Sequence, residues 1–160
     1  MLKVGDPAPE FSTVDANGEK YSLADFRGSF VVLYFYPEDE TPGCTIEACS
    51  FRDNYSEFPK HHAVVFGVSI DTPESHRSFA AHHNIPFPLL IDTDKKIVNE
   101  YEAYGEKNLY GHISVGVMRK TYIIDPQGKI AFIWKRATPL GHAEAVLAKL
   151  EFLELGYNIV

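Results

Sequence analysis

The sequence predicts an α/β fold with a central mixed sheet flanked by helices. Three observations carry that expectation. Residues 30–36 and 63–70 are apolar on both faces, as strands are when a sheet is covered on each side. Each run is followed by a threonine–proline pair, Thr41-Pro42 and Thr72-Pro73. Threonine suits the position before a helix, and proline suits the first helical position. Beyond residue 120 the pattern changes to two strand-like runs around a tight turn, then an amphipathic close.

Taken in order, Phe11-Ser12-Thr13-Val14 and Glu19-Lys20-Tyr21-Ser22 flank Asp15-Ala16-Asn17-Gly18. Asn-Gly between extended segments signals a hairpin. Residues 22–26 read as one helical turn stopped near Gly28. After the first buried strand, a helix is expected from Pro42 to about Phe58, with Pro59 ending it. The second buried strand leads to a helix running to about His83. Pro88-Leu89-Leu90-Ile91 reads as a short strand, and 95–101 as helical. Residues 103–118, with Gly105, Gly111 and Gly116, read as a loop. Strands at 120–124 and 129–134 enclose the turn Asp125-Pro126-Gln127-Gly128. Ala143, Val146, Leu147, Leu150 and Leu153 recur at helical spacing. This order gives helices on both faces of the sheet. It is the layout of a thioredoxin-like fold with an N-terminal β-hairpin extension.

Composition narrows the function. The 160 residues are expected to form one domain, long enough to bury roughly 70% of the unfolded surface. A net charge of −7 poorly suits nucleic acid, whose phosphates demand a basic face. No run of about 18 apolar residues occurs, so no membrane span is expected. The first residues lack an apolar h-region and the character of a transit peptide, so a cytoplasmic protein is expected.

Two cysteines, Cys44 and Cys49, make no disulfide framework. In a reducing compartment they are inert core thiols, metal ligands or catalytic groups. With Thr41 as cap, Cys44 falls in the first helical turn. Unpaired amides and the positive end of the helix dipole there favour a thiolate, the nucleophilic form. The acidic run Glu38-Asp39-Glu40 opposes ionisation if it points inward, so a cation is needed from elsewhere. Five helical residues span about 140° and 7.5 Å, placing the two Cα atoms roughly 8–9 Å apart. That exceeds the ~7 Å limit for a bridge. A disulfide therefore requires the first turns to unwind, and Gly43 eases this. As a zinc pair the cysteines are a weak match, since tetrahedral sites take four ligands at tighter spacing. The doublets His61-His62 and His82-His83 read as exposed surface. His112 and His142 read as structural.

The string Pro37-x-x-x-Thr41-x-x-Cys44 resembles the active-site signature of the peroxiredoxins. The longer string from Tyr34 through Cys49 is similar to their subgroup called PrxQ or bacterioferritin comigratory protein. The likeness extends over the opening Gly5-Asp6-x-Ala8-Pro9-x-Phe11, the Gly105-Glu106-Lys107 segment and Arg119-x-Thr121-Tyr122-Ile123-Ile124-Asp125.

The resemblance implies a thiol peroxidase. Cys44 would be the peroxidatic cysteine and Cys49 the resolving one. Thr41 would hydrogen-bond sulfur and peroxide, Pro37 would shape the pocket, and Arg119 would be the missing cation. Many relatives carry lysine where this chain has Glu38, which leaves Arg119 as the main counterion. No cysteine lies near the C-terminus, so an intramolecular bridge and a monomer are expected. Hydrogen peroxide or an organic hydroperoxide would oxidise Cys44 to a sulfenic acid. Cys49 would then condense with it, and thioredoxin or a similar dithiol would reduce the bridge. The resemblance implies no metal, flavin or nicotinamide cofactor. Two other readings are weighed: a redox-sensing thiol switch, and a protein thiol–disulfide oxidoreductase. The latter usually spaces its cysteines by two residues.

Overall fold

The computed structural model describes residues 1–157. Its elements are β1 (Ser12–Val14), β2 (Lys20–Ser22), β3 (Phe30–Phe35), α1 (Pro42–Asp53), β4 (Ala63–Ser69), α2 (Pro73–His83) and β5 (Leu89–Ile91). There follow α3 (Lys96–Glu100), β6 (Tyr104–Leu109), β7 (His112–Val117), β8 (Thr121–Ile124), β9 (Ile130–Trp134) and α4 (His142–Tyr157). The main sheet has the order β5-β4-β3-β8-β9. β3, β4 and β5 run parallel, whereas β8 and β9 are antiparallel to their neighbours. Parallel neighbours need helical crossovers, and α1 and α2 supply them.

β3 is central and completely buried, and its alternation divides the core. Val31, Leu33 and Phe35 point to one side, where they meet Leu23, Ile97, Val98 and Tyr122. Val32, Tyr34 and Tyr36 point to the other, where they meet Cys44, Phe51, Phe79 and Val146. α1, α2 and α4 cover the second face, while α3 and the N-terminal segment cover the first. The N-terminal segment also reaches both outer strands: Gly5 N donates to Ile130 O at 2.8 Å, and Asp15 bridges to Leu90. Such cover protects edges that would otherwise pair with another chain.

Two expectations need correction. α1 stops at Asp53 rather than near Phe58, and two 3₁₀ turns, Tyr55–Glu57 and Pro59–His61, follow it. Asn54 ends the helix: its side-chain amide donates to Ser50 O at 2.9 Å, occupying a carbonyl of the last turn. The turns bring Phe58 into the core, 5.8 Å from Phe51 between ring centres. The second correction concerns residues 103–118. They form a β-hairpin, β6–β7, rather than a loop. Tyr110 and Gly111 make its two-residue turn with φ of 54° and 80°. Two consecutive left-handed residues are the geometry that matches strand twist in tight hairpins.

Gly67 in β4 lies opposite Tyr34 and Leu89. A Cβ there would sit 2.9 Å from Leu89 Cδ2 and from the Tyr34 ring. Tyr34 in turn stacks on Phe51 of α1 at 4.6 Å. Gly67→Ala is expected to destabilise the protein by about 1–3 kcal/mol through overpacking. Urea unfolding with an unchanged m-value checks it.

Candidate active site

The end of β3 leads through residues 37–41 into α1. Thr41 holds the position before the helix with an extended backbone (φ −74°, ψ 151°), and Pro42 opens the helix. Cys44 is therefore the third helical residue, among amides that have no intrahelical acceptor. Its thiol is buried at 1% exposure. Arg119, just before β8, reaches it with Nη2 3.5 Å from Sγ.

The same guanidinium makes a second contact. Arg119 Nη1 donates to Glu47 Oε1 at 2.8 Å. Glu47 is wholly buried, and among the described residues its Oε2 has no partner. Burial pushes its carboxyl up to about 7, against the opposing pull of Arg119. In the sequence Glu47 lies within the string from Tyr34 through Cys49 but carries no role of its own. The available signal was spacing: three residues after Cys44 on a helix is the same face. The Tyr34 hydroxyl is a second buried group without a partner among the described residues. Burial first, then the negative charges of Glu47 and Cys44, raises it well above the usual phenol range.

Thr41 departs from expectation. Its hydroxyl does not cap α1; it donates to Glu38 O at 2.8 Å. No hydrogen bond joins it to Cys44 among the described residues. With its proton so placed, the hydroxyl oxygen faces any newcomer as an acceptor.

The acidic run is turned away from the sulfur. Glu38 is exposed. Asp39 is buried, but Tyr36 Oη (2.6 Å), Ser75 Oγ (2.8 Å) and His76 Nδ1 (2.7 Å) surround its carboxylate. Glu40 meets His82 and His83. Glu38 thus faces solvent while Asp39 and Glu40 have partners of their own, and Arg119 is the cation in contact with Cys44.

Pro37 and Arg119 share a cavity of about 380 Å³ with Lys107, Met118, Lys135 and Arg136. Arg119 is common to this cavity wall and to the sulfur. Lys107 feels both: burial and the Arg119 charge hold its ammonium below the usual lysine range, against the pull of Cys44. A predominantly cationic mouth on a chain of net charge −7 concentrates positive field at one point.

Cys49 is half-buried and lines a separate groove with Ile46, Ser50, Leu140 and Gly141. Both thiols are free, and both belong to one unbroken helix. Of the other histidines, His142 is buried, with Nε2 2.8 Å from Thr121 Oγ1, and burial lowers it to about 4. His112 lies on the exposed β7. Arg52 pairs with Asp53 at 2.9 Å.

This geometry sets a buried thiol at a helix start beside a fixed cation, on a thioredoxin-like frame. The chain belongs to the AhpC/TSA family, which residues 4–133 match. It falls with the peroxiredoxins of the Bcp, or PrxQ, kind and is a thiol-dependent peroxidase. A putative peroxiredoxin bcp of Helicobacter pylori J99 is 45% identical over 149 residues, spanning 93% of this chain and 98% of that protein. Peroxiredoxin Bcp of Escherichia coli K12 is 40% identical over 146 residues, with 91% and 94% covered. Among solved structures, a PrxQ mutant of Xylella fastidiosa superposes with a TM-score of 0.90 at 32% identity, covering 96% of this chain and 98% of that one. The bacterioferritin comigratory protein of Xanthomonas campestris, described for alkyl peroxide reduction, gives 0.86 at 35% identity, with 96% and 98% covered.

Two tests follow from this packing. A Cβ at Gly43 would lie 3.1 Å from Arg119 Nη2. Gly43→Ala should raise helix stability by up to about 1 kcal/mol yet displace the guanidinium. The expected outcome is a higher melting temperature with oxidation of Cys44 by peroxide slowed roughly tenfold, a barrier change of about 1.4 kcal/mol. The second concerns Glu47, whose folded carboxyl titrates at about 7 against 4.5 for the free side chain. A raised value means its contribution is complete below about pH 4.5 and is lost as pH climbs through 7. Relative to Glu47→Gln, the parent should therefore lose on the order of 3 kcal/mol across that window. Paired urea melts at pH 4.5 and pH 8 check it; a constant difference would contradict it.

Proposed function

We propose that Cys44 is the peroxidatic cysteine and Cys49 the resolving cysteine of a single-domain, monomeric, cytoplasmic peroxidase. The observation that carries this reading is the Arg119 guanidinium 3.5 Å from a buried sulfur at the start of α1. No described helix is long and apolar enough to cross a membrane.

A hydroperoxide enters the cavity beside Pro37, and its O–H donates to Thr41 Oγ1. The Cys44 thiolate attacks the distal oxygen. A sulfur–oxygen bond forms, the O–O bond breaks, and the departing oxygen takes the electron pair. Arg119 and the helix-start amides stabilise that charge, which then takes a proton and leaves as an alcohol or water. Cys44 is now a sulfenic acid. The first turns of α1 unwind and Cys49 attacks the oxidised sulfur. A disulfide forms and water leaves. Thioredoxin or a similar dithiol then restores both thiols by exchange. Hydrogen peroxide and organic hydroperoxides both suit a cavity of this size; the activity described for the Xanthomonas relative supports the organic class.

The unwinding step is favoured by what α1 lacks. A side-chain cap contributes about 1 kcal/mol to a helix, and Thr41 gives its hydroxyl to Glu38 instead.

Three variants test the assignment. Cys44→Ser should abolish peroxide consumption. Cys49→Ser should react once, then accumulate sulfenic or overoxidised Cys44, seen by mass analysis after rapid mixing. Normal turnover of Cys49→Ser with thioredoxin would remove it from the resolving role. Arg119→Ala should slow the first step by roughly 10²–10³-fold, the scale for losing one preorganised electrostatic donor.

A further inference from the structure

Glu40 immediately precedes Thr41. Its carboxylate bridges two imidazoles at the C-terminal end of α2. Oε2 lies 2.8 Å from His82 Nδ1, and Oε1 lies 2.7 Å from His83 Nε2. The three residues each offer one ligand atom, and these atoms lie within 4.8 Å of one another. The two rings are in contact, with centres 4.1 Å apart. One divalent cation between the imidazoles and the carboxylate meets all three at once.

We propose that Glu40, His82 and His83 form a zinc site that clamps the segment before Cys44 to the end of α2. Two imidazole nitrogens and one carboxylate oxygen are a ligand set zinc accepts, with water in the fourth place. Zinc–ligand bonds of about 2.0–2.1 Å put tetrahedral ligand atoms roughly 3.3 Å apart. The two nitrogen–oxygen contacts, 2.8 and 2.7 Å to different oxygens of the carboxylate, would open by about half an ångström, and all three ligand atoms already lie within 4.8 Å of one another. His82 and Glu40 have side-chain exposures of 65% and 43%, which admits the ion and its water from solvent. His83 is less exposed, at 18%, and its ring packs on Phe79. The negative end of the α2 dipole favours a cation there. The nearby Arg52 is engaged by Asp53 and the His83 carbonyl. The sequence showed only an adjacent histidine pair. The fold supplies the third ligand from 42 residues away.

Given the peroxidase mechanism above, zinc here would fasten the residue next to the helix that must melt. Formation of the Cys44–Cys49 bridge should slow, while the first oxidation keeps its rate. Zinc binding itself is independent of that mechanism and is measured apart from it.

The test titrates zinc, against a chromophoric chelator, into full-length protein carrying Cys44→Ser and Cys49→Ser, so that thiols cannot bind it. One zinc per chain is expected. Glu40→Gln and His82→Ala in that background should each weaken binding at least tenfold, the low end for loss of even an outer-shell partner. His62→Ala, in the other doublet, should leave it unchanged. No binding at micromolar zinc, or equal binding in His82→Ala, overturns the site. A second arm follows disulfide closure in the native dithiol protein after one equivalent of peroxide. Slower closure with zinc, lost in His82→Ala, supports the clamp. Unaltered closure, or the same slowing in His82→Ala, overturns it.

Discussion

One guanidinium serves two acidic groups, and the site depends on how its charge is divided. Arg119 contacts Cys44 with one terminal nitrogen and Glu47 with the other. A buried pair broken on one side leaves a charge without compensation, which is strongly unfavourable. Here the division is uneven. Burial keeps Glu47 partly protonated near neutrality, with its carboxyl at about 7. A neutral Glu47 still accepts the Arg119 hydrogen bond and so still orients the guanidinium. It does so without cancelling the positive field at the sulfur. The positive field of Arg119 at the sulfur is then larger than a fully ionised glutamate would leave it. Burial of Glu47 is therefore an electrostatic device as much as a packing feature.

The segment leading to the helix is fixed by equally local means. Asp39 accepts from Tyr36 and Ser75, and its remaining neighbour is His76 Nδ1. His76 Nε2 faces the Leu90 carbonyl at 3.1 Å. The two ring nitrogens thus face oxygens on two different segments. His76, buried in α2, joins the segment before the helix to β5. Anchorage continues through Glu40, which meets His82 and His83. Thr41, Pro42 and Gly43 follow with no side-chain cap. The boundary between a held loop and a meltable first turn falls between Glu40 and Cys44, where the proposed cycle of folded attack and unfolded resolution needs it.

Much of this was legible in the residues. The buried strands, the threonine–proline helix starts and the Cys44–Cys49 spacing follow from local rules of period, capping and rise per residue. The peroxiredoxin signature carried Pro37, Thr41 and Arg119. What stayed hidden has one common character: it depends on partners distant in the chain. β6 and β7 lack a clean alternation, and Gly105, Gly111 and Gly116 imitate a loop, so the hairpin emerges only from its cross-strand register. Asn54 ends α1 through a side-chain bond that competes with the backbone, a choice that propensity alone leaves open. Glu47 acquires a role only once the sheet places Arg119 against it. Thr41 reads as a cap until the turn brings the Glu38 carbonyl within reach of its hydroxyl.

The fate of Thr41 shows why such exceptions collect at this site. A capped α1 would be the better helix and the poorer hinge. An uncapped one exposes amides that favour an anion on Cys44, while making the same turn cheaper to melt. Both requirements of the proposed cycle, a stabilised thiolate at Cys44 and a helix that opens to bring it to Cys49, would pull in the same direction at this residue. The opposing force is burial: Cys44, Ala48 and Phe51 are packed on the β3 face. Unwinding that stops before Phe51 leaves its stack on Tyr34 intact. Against the unsatisfied end of the helix then stand the packing of one thiol and one methyl group and the buried Arg119–Glu47 contact. The packing and the missing cap are each worth a few kcal/mol at most, and the partial protonation of Glu47 lowers the cost of parting it from Arg119. A helix end so balanced can exchange between closed and open forms without threatening the sheet beneath it.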